Sequence, residues 1–146
     1  MKLVYYTDGG CEPNPGQGTW AFVCTEPYHE KSGYEVHTTN NRMEIMAVLQ
    51  AIQHAQEMGG SNITIYTDST YVANGFTSWM HKWVLKGWMI KGEPVKNSGL
   101  WRQLFQYRKI AKVQWVKGHN DNEFNEVCDA LVRTEFMRTF GGKMKY

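Results

Sequence analysis

The chain has 146 residues, 42% of them hydrophobic and 21% charged, and a net charge of +2. That length suits one domain over 1–146, and the composition is that of a soluble globular fold, not of a disordered or fibrous chain. No apolar run approaches the ~20 residues that cross a bilayer, and MKLVYYTD at the start reads as a strand, not as a secretory leader.

Cys11, Cys24 and Cys128 are odd in number and lack CxxC spacing. The pattern speaks against a disulfide framework or a structural zinc site and for a reducing, cytoplasmic setting. Charge is unevenly spread. Residues 81–117 carry nine Lys or Arg against a single acid, Glu93, so this segment is +8 and the remainder −6. It also holds Trp83, Trp88, Trp101 and Trp115. Basic side chains interleaved with aromatics are a footprint of nucleic-acid binding, although any solvated face can show a charge run.

In chain order, residues 2–8 read as a strand ending at Asp8, because Leu, Val and Tyr dominate and a Gly pair follows. GGCEPNPGQG is turn-rich. Residues 19–26 and 33–39 suggest two more strands of an antiparallel meander, with Pro27 to Gly33 as the hairpin connection. Ile45, Val48, Leu49, Ile52 and Ala55 repeat with helical spacing, which predicts a helix over Asn41–Met58 that Gly59-Gly60 stops. NITIYT at 62–67 is a short strand, and Ser69 to Phe76 a helix broken near Gly75. Residues 79–96 form a Trp- and Lys-rich excursion. Leu100 to Tyr107 is helical, 111–116 a strand and 125–140 the last helix. Helices alternating with strands point to a mixed α/β sheet. The strands at 2–8 and 62–67 can lie parallel and adjacent across a helical connection.

YTD occurs at 6–8 and again at 66–68, each time putting an aspartate at the carboxyl end of a hydrophobic strand. If the strands are parallel neighbours, Asp8 and Asp68 meet at the sheet edge where open α/β sheets bind ligands. Two carboxylates packed together repel unless a cation or a proton intervenes. Taken singly, Asp8 reads better as the start of a turn and Asp68 as a helix cap, and it is their repeated context that weakens that reading. Glu44 shares the apolar stripe of its helix with Val48 and Ile52, yet Asn41 and Glu44 also have capping-box spacing. Asp129, early in the last helix, suits the helix dipole as well. Four oxygen donors at one edge would suit magnesium, a hard cation. His119 lies in a polar loop and can shuttle protons or simply be exposed.

Five segments in order resemble type 1 ribonuclease H of the bacterial kind. They are YTDGGCEPNPGQG, TTNNRMEIMA, YTDSTYV, WVKGH at 115–119 and NEVCDAL around Asp129. The resemblance implies a ribonuclease H-like fold, a five-stranded mixed sheet flanked by helices. It also implies endonucleolytic hydrolysis of the RNA strand of RNA–DNA hybrids, leaving 5′-phosphate and 3′-hydroxyl ends. Two magnesium ions are implied, with manganese as the alternative ion. Asp8 would bridge both, Asp129 would join it on the ion serving the attacking water, and Glu44 and Asp68 on the ion serving the leaving oxygen.

His119 matches a histidine that assists turnover, although Asn120 to Phe124 replace the usual Gly- and Pro-containing loop. Cys11, Asn14, Asn40 and Asn41 match residues that read the minor groove and the 2′-hydroxyls, and Thr70 stands at a further contact position where the family often has a glutamine. Thr39 and Asn97 match a phosphate pocket, with His37 where some members carry arginine. Trp79, Trp83, Lys86 and Trp88 match a basic protrusion. The implied partner is the hybrid alone, for a monomer with no membrane contact and no obligate protein partner. A non-cleaving nucleic-acid-binding module and a DNA strand-transfer enzyme are the competing readings. Four retained acids oppose the first, and the Asn-rich loop and Trp/Lys excursion oppose the second.

Overall fold

The computed structural model describes residues 1–118 and 122–144. Strands β1 (Lys2–Cys11), β2 (Gly16–Thr25) and β3 (Tyr28–Thr38) form an antiparallel meander, followed by helix α1 (Asn40–Glu57) and strand β4 (Asn62–Thr67). Helix α2 (Thr70–Asn74) runs through a π-helical turn, Gly75–Trp79, into α3 (Met80–Leu85). Two short strands, β5 (Met89–Ile90) and β6 (Glu93–Pro94), precede α4 (Ser98–Phe105), β7 (Ala111–Trp115) and α5 (Glu123–Phe140). The main sheet has five strands in the order β3-β2-β1-β4-β7, with β1, β4 and β7 mutually parallel. This is the expected five-stranded mixed sheet.

Alternation along the strands sends side chains to two cores. Trp20, Phe22 and Cys24 of β2 face α1 and join the larger cluster, with Leu3, Tyr5, Ile45, Val48 and Ile52. Ala21, between them, faces α5 and packs with Val132 and Phe136. Each fully buried Ile or Leu contributes roughly 1.5–3 kcal/mol by leaving water. The sheet is therefore clamped between helices, and its carboxyl edge stays fixed.

Three differences from the sequence expectations have local causes. The strands run further into GGCEPNPGQG than its turn residues suggest, because Gly9, Gly10 and Cys11 pair with Trp20, Thr19 and Gly18. β3 already starts at Tyr28, so the connection from β2 is tight. It is an edge strand exposed along most of its length, and its polarity hides its period. Gly75 does not break its helix. A Cβ there would lie 2.2 Å from the Trp101 ring, so the glycine makes room for a buried tryptophan while the chain continues into α3.

Gly9 serves the site in the same way. A Cβ at Gly9 would lie 2.5 Å from the carbonyl carbon of Met43 and 2.7 Å from the nitrogen of Glu44. The first turns of α1 therefore rest directly on the end of β1. Both partners are backbone and cannot turn aside. Gly9→Ala should destabilise the protein by about 1–3 kcal/mol, read from the urea midpoint; an unchanged midpoint would show that α1 does not depend on this contact.

Candidate active site

The two YTD segments lie side by side. Tyr6 pairs with Tyr66 and Thr7 with Thr67 across parallel β1 and β4, so Asp8 and Asp68 emerge together at the carboxyl edge. α1, seated on Gly9, adds Glu44. One carboxylate oxygen from each of Asp8, Glu44 and Asp68 lies within 4.8 Å of the other two. A cleft of about 320 Å³ opens over them, lined also by Asn40, Asn41, Ser69 and Asp129. Asp129 stands on the rim, where its Oδ2 accepts a hydrogen bond from Arg133 Nε at 3.0 Å.

The capping alternatives do not hold. α1 is capped by Thr39, whose hydroxyl accepts from the amide of Arg42, and no acid lies in its first turn. α2 is capped by Ser69, not Asp68. α5 is capped by Asn122, and the acids in its first turn are Glu123 and Glu126, not Asp129.

The electrostatics follow from crowding. Asp8 is 7% exposed, and burial first, then Asp68 and Asp129, push its carboxyl well above the usual range; the Gly9 amide and Arg133 pull the other way. Burial, then Asp8 and Asp68, likewise raise Glu44, again opposed by the Gly9 amide. Cys128, behind the site, is raised by burial and by the same three acids. Glu44 Oε1 is shut off from solvent with no hydrogen-bond partner among the described residues. A buried acceptor without a donor is costly. Converging carboxylate oxygens, with an unpartnered buried acceptor on Glu44, fit a hard divalent cation.

A family model described as RNase H matches residues 1–137. The chain belongs to the ribonuclease H family. A ribonuclease H of Acetivibrio thermocellus is 43% identical over 143 residues, covering 94% of this chain and 96% of its own. One from Hahella chejuensis is 42% identical over 147 residues, covering 97% and 98%. Among solved structures, LC9-RNase H1, a type 1 RNase H with the type 2 active-site motif, aligns with a TM-score of 0.79 at 26% identity, covering 91% of this chain and 71% of that one. A foamy viral protease-reverse transcriptase in complex with RNA/DNA hybrid shares the fold, with a TM-score of 0.77 at 20% identity, covering 91% of this chain and 20% of that one. As a ribonuclease H the protein is a nuclease, a hydrolase of the family that cleaves RNA in RNA–DNA hybrids.

The remaining candidate residues of this ribonuclease H divide into groups. Asn14, Thr39, Asn40, Asn41, Trp83 and Asn97 line one groove of about 920 Å³ beside the acids. Asn14 Oδ1 accepts from the Asn40 amide at 3.1 Å, and Asn40 Oδ1 is buried without a partner among the described residues. Thr39, Asn97 and His37 share a second cavity of about 490 Å³. Thr70 and Lys86 are exposed, and Trp79 is half-buried against Tyr71 and Trp83.

Two side chains expected to face substrate turn inward. The Cys11 thiol is buried and directed at the carbonyls of Pro13 and Thr38, because Cys11 is still in the strand. Trp88 is 8% exposed and packs on Phe105, drawn into the core at the base of the β5–β6 ribbon. His119 lies outside the described residues. The sequence reading missed Gly9, whose role needs a packed helix to become visible. It also missed Arg42, which lines the second cavity and is held by Glu35 at 2.6 and 3.1 Å.

Raised carboxyl pKa values mean that the metal-free native state binds more protons than the unfolded chain. Its stability then falls as pH rises from the ordinary carboxylate range. At neutral pH in chelator, Asp8→Asn should therefore unfold at higher denaturant, by about 1–2 kcal/mol. The difference from wild type should shrink on acidification. A less stable Asp8→Asn would refute the crowding account.

Proposed function

We propose that the protein is an endonuclease that hydrolyses the RNA strand of RNA–DNA hybrids, leaving 5′-phosphate and 3′-hydroxyl ends. In this reading Asp8, Glu44, Asp68 and Asp129 hold two magnesium ions, for which manganese can substitute. The observation that carries it is the convergence of Asp8, Glu44 and Asp68 within 4.8 Å, with Asp129 on the same cleft. Bound divalent cations supply Lewis acidity at the scissile phosphate and neutralise the crowded acids.

The protein's own groups do the rest. The carboxylates fix where the phosphate stops, and Asp8, paired in the sheet, is their fixed reference. Asn14, Asn40 and Asn41 line the wall next to the acids and offer amides to base edges and ribose hydroxyls in the minor groove, which distinguishes RNA from DNA. Thr39, Asn97 and Arg42 offer donors to a phosphate of the DNA strand in the adjoining cavity. Lys82, Lys86 and Lys91 are exposed along the protrusion and hold the hybrid electrostatically. His119 assists turnover. Residues 1–146 act as one catalytic unit, a monomer with no obligate protein partner. The three cysteines are unpaired, which suits a cytoplasmic setting, and among the described residues no helix is long and apolar enough to cross a membrane.

The test is a labelled RNA–DNA hybrid beside single-stranded RNA, duplex RNA and duplex DNA. Magnesium-dependent cutting of the hybrid's RNA alone is expected, lost in chelator and reduced by at least about 100-fold in Asp8→Asn and Glu44→Gln. Cleavage that survives chelation would exclude the metal reading, and cleavage of duplex DNA would exclude the substrate. Replacing Lys82, Lys86 and Lys91 with Ala should flatten the plot of log affinity against log salt, by about 0.9 for each phosphate no longer neutralised. An unchanged slope would remove the protrusion from substrate binding.

A further inference from the structure

Asp68 is held differently from its neighbours. Asp8 lies within a strand and pairs with Ala21, and Glu44 lies within a helix. Asp68 comes one residue after the end of β4 and before the start of α2, outside both. Its position therefore depends on what the surrounding loop does to it. Among the described residues, Trp115 and Gly118 of the segment leaving β7 both meet it. The indole nitrogen of Trp115, whose register partner on β4 is Thr67, donates a hydrogen bond to the Asp68 carbonyl at 3.1 Å. Gly118 lies so close to the Asp68 carboxylate that a Cβ there would sit 2.8 Å from Oδ2 and 3.3 Å from the Asp68 Cβ.

Neither feature has a plain packing explanation. Trp115 is 51% exposed, unusual for a large ring kept only for burial. Gly118 does not have a positive φ, so its backbone does not call for glycine. Both are explained if Asp68 must be aimed. The indole fixes the peptide that carries the side chain, and the missing Cβ leaves the carboxylate its place.

The geometry points to Trp115 and Gly118 as positioning residues that aim Asp68 at the cation site, so that the strand β7 and its exit segment set metal affinity without supplying a ligand. This rests on the proposed metal-binding role of Asp68. Trp115→Phe removes the donor and keeps most of the ring. Gly118→Ala obliges the carboxylate to turn aside, which the free end of a side chain can do without unfolding the protein.

The test is magnesium titration of the metal-free protein by calorimetry, with urea midpoints as the control for folding and Asp68→Asn as the reference. Trp115→Phe should weaken magnesium binding roughly three- to tenfold, as expected for the removal of one hydrogen bond. Gly118→Ala should weaken it at least as much, with both urea midpoints close to wild type. In hybrid cleavage, the magnesium needed for half-maximal rate should rise, and saturating metal should restore most of the rate. Wild-type magnesium affinity in both variants, with Asp68→Asn impaired, would overturn the positioning role alone. Wild-type affinity in Asp68→Asn would overturn it together with the metal assignment. A rate in both variants that saturating metal does not restore would overturn it too, by placing them in another step.

Discussion

Three carboxylates held within 4.8 Å of each other are the constraint that the rest of the molecule serves. In water they would separate. Here burial and mutual repulsion raise Asp8 and Glu44 together, opposed by the Gly9 amide and, at Asp8, by Arg133. Only a stiff frame keeps such a group assembled, and the frame is backbone. Parallel pairing of β1 with β4 brings the aspartates together. The bare backbone of Gly9 brings the helix carrying Glu44 into contact with the strand carrying Asp8. The Gly9 amide then favours the charged forms of both acids, a small return against the larger cost of crowding.

That frame also explains why the sheet is covered on both faces. α1 and α5 pack on opposite sides, with Phe22 facing one and Ala21 the other. Had either face been open, solvent and slack would reach the sheet edge where the acids sit. Cys128 illustrates the tightness: its thiol lies in α5 against the carbonyls of Tyr6 and Ala21, and burial, then the field of the three acids, raises it. The groove that continues from the acids is bounded instead by α1, the β5–β6 ribbon and the start of α4.

Much of this was legible in the sequence for a physical reason. The YTD repeat worked because parallel strands in register place identical offsets side by side, so a one-dimensional echo became a three-dimensional pair. The apolar stripe of α1 worked because a helix facing a sheet must repeat every three or four residues. What stayed hidden has several causes. Gly9, Gly75 and Gly118 look like turn residues, yet each is where another group comes too close for a Cβ. Close approach leaves no periodic mark. The inward turn of Cys11 and Trp88 was hidden likewise, because a family match assigns a position and not the direction of its side chain. β3 escaped its correct start because an exposed edge strand does not alternate.

The four acids also differ in how firmly they are held, and the difference follows their elements. Asp8 is within the ladder, Glu44 is on a helix pressed against backbone, Asp68 follows the last residue of a strand, and Asp129 is on a rim beside an arginine. A site that must accept a cation, take in a phosphate and then let the product leave cannot be rigid throughout. One acid within the ladder sets the origin, and the others are placed around it by the elements that carry or adjoin them. The Trp115 hydrogen bond then acts on the one converging acid that lies between elements, at the peptide just past the end of β4. An exposed tryptophan at that point limits the freedom of Asp68 without abolishing it, which a buried ladder bond would have done.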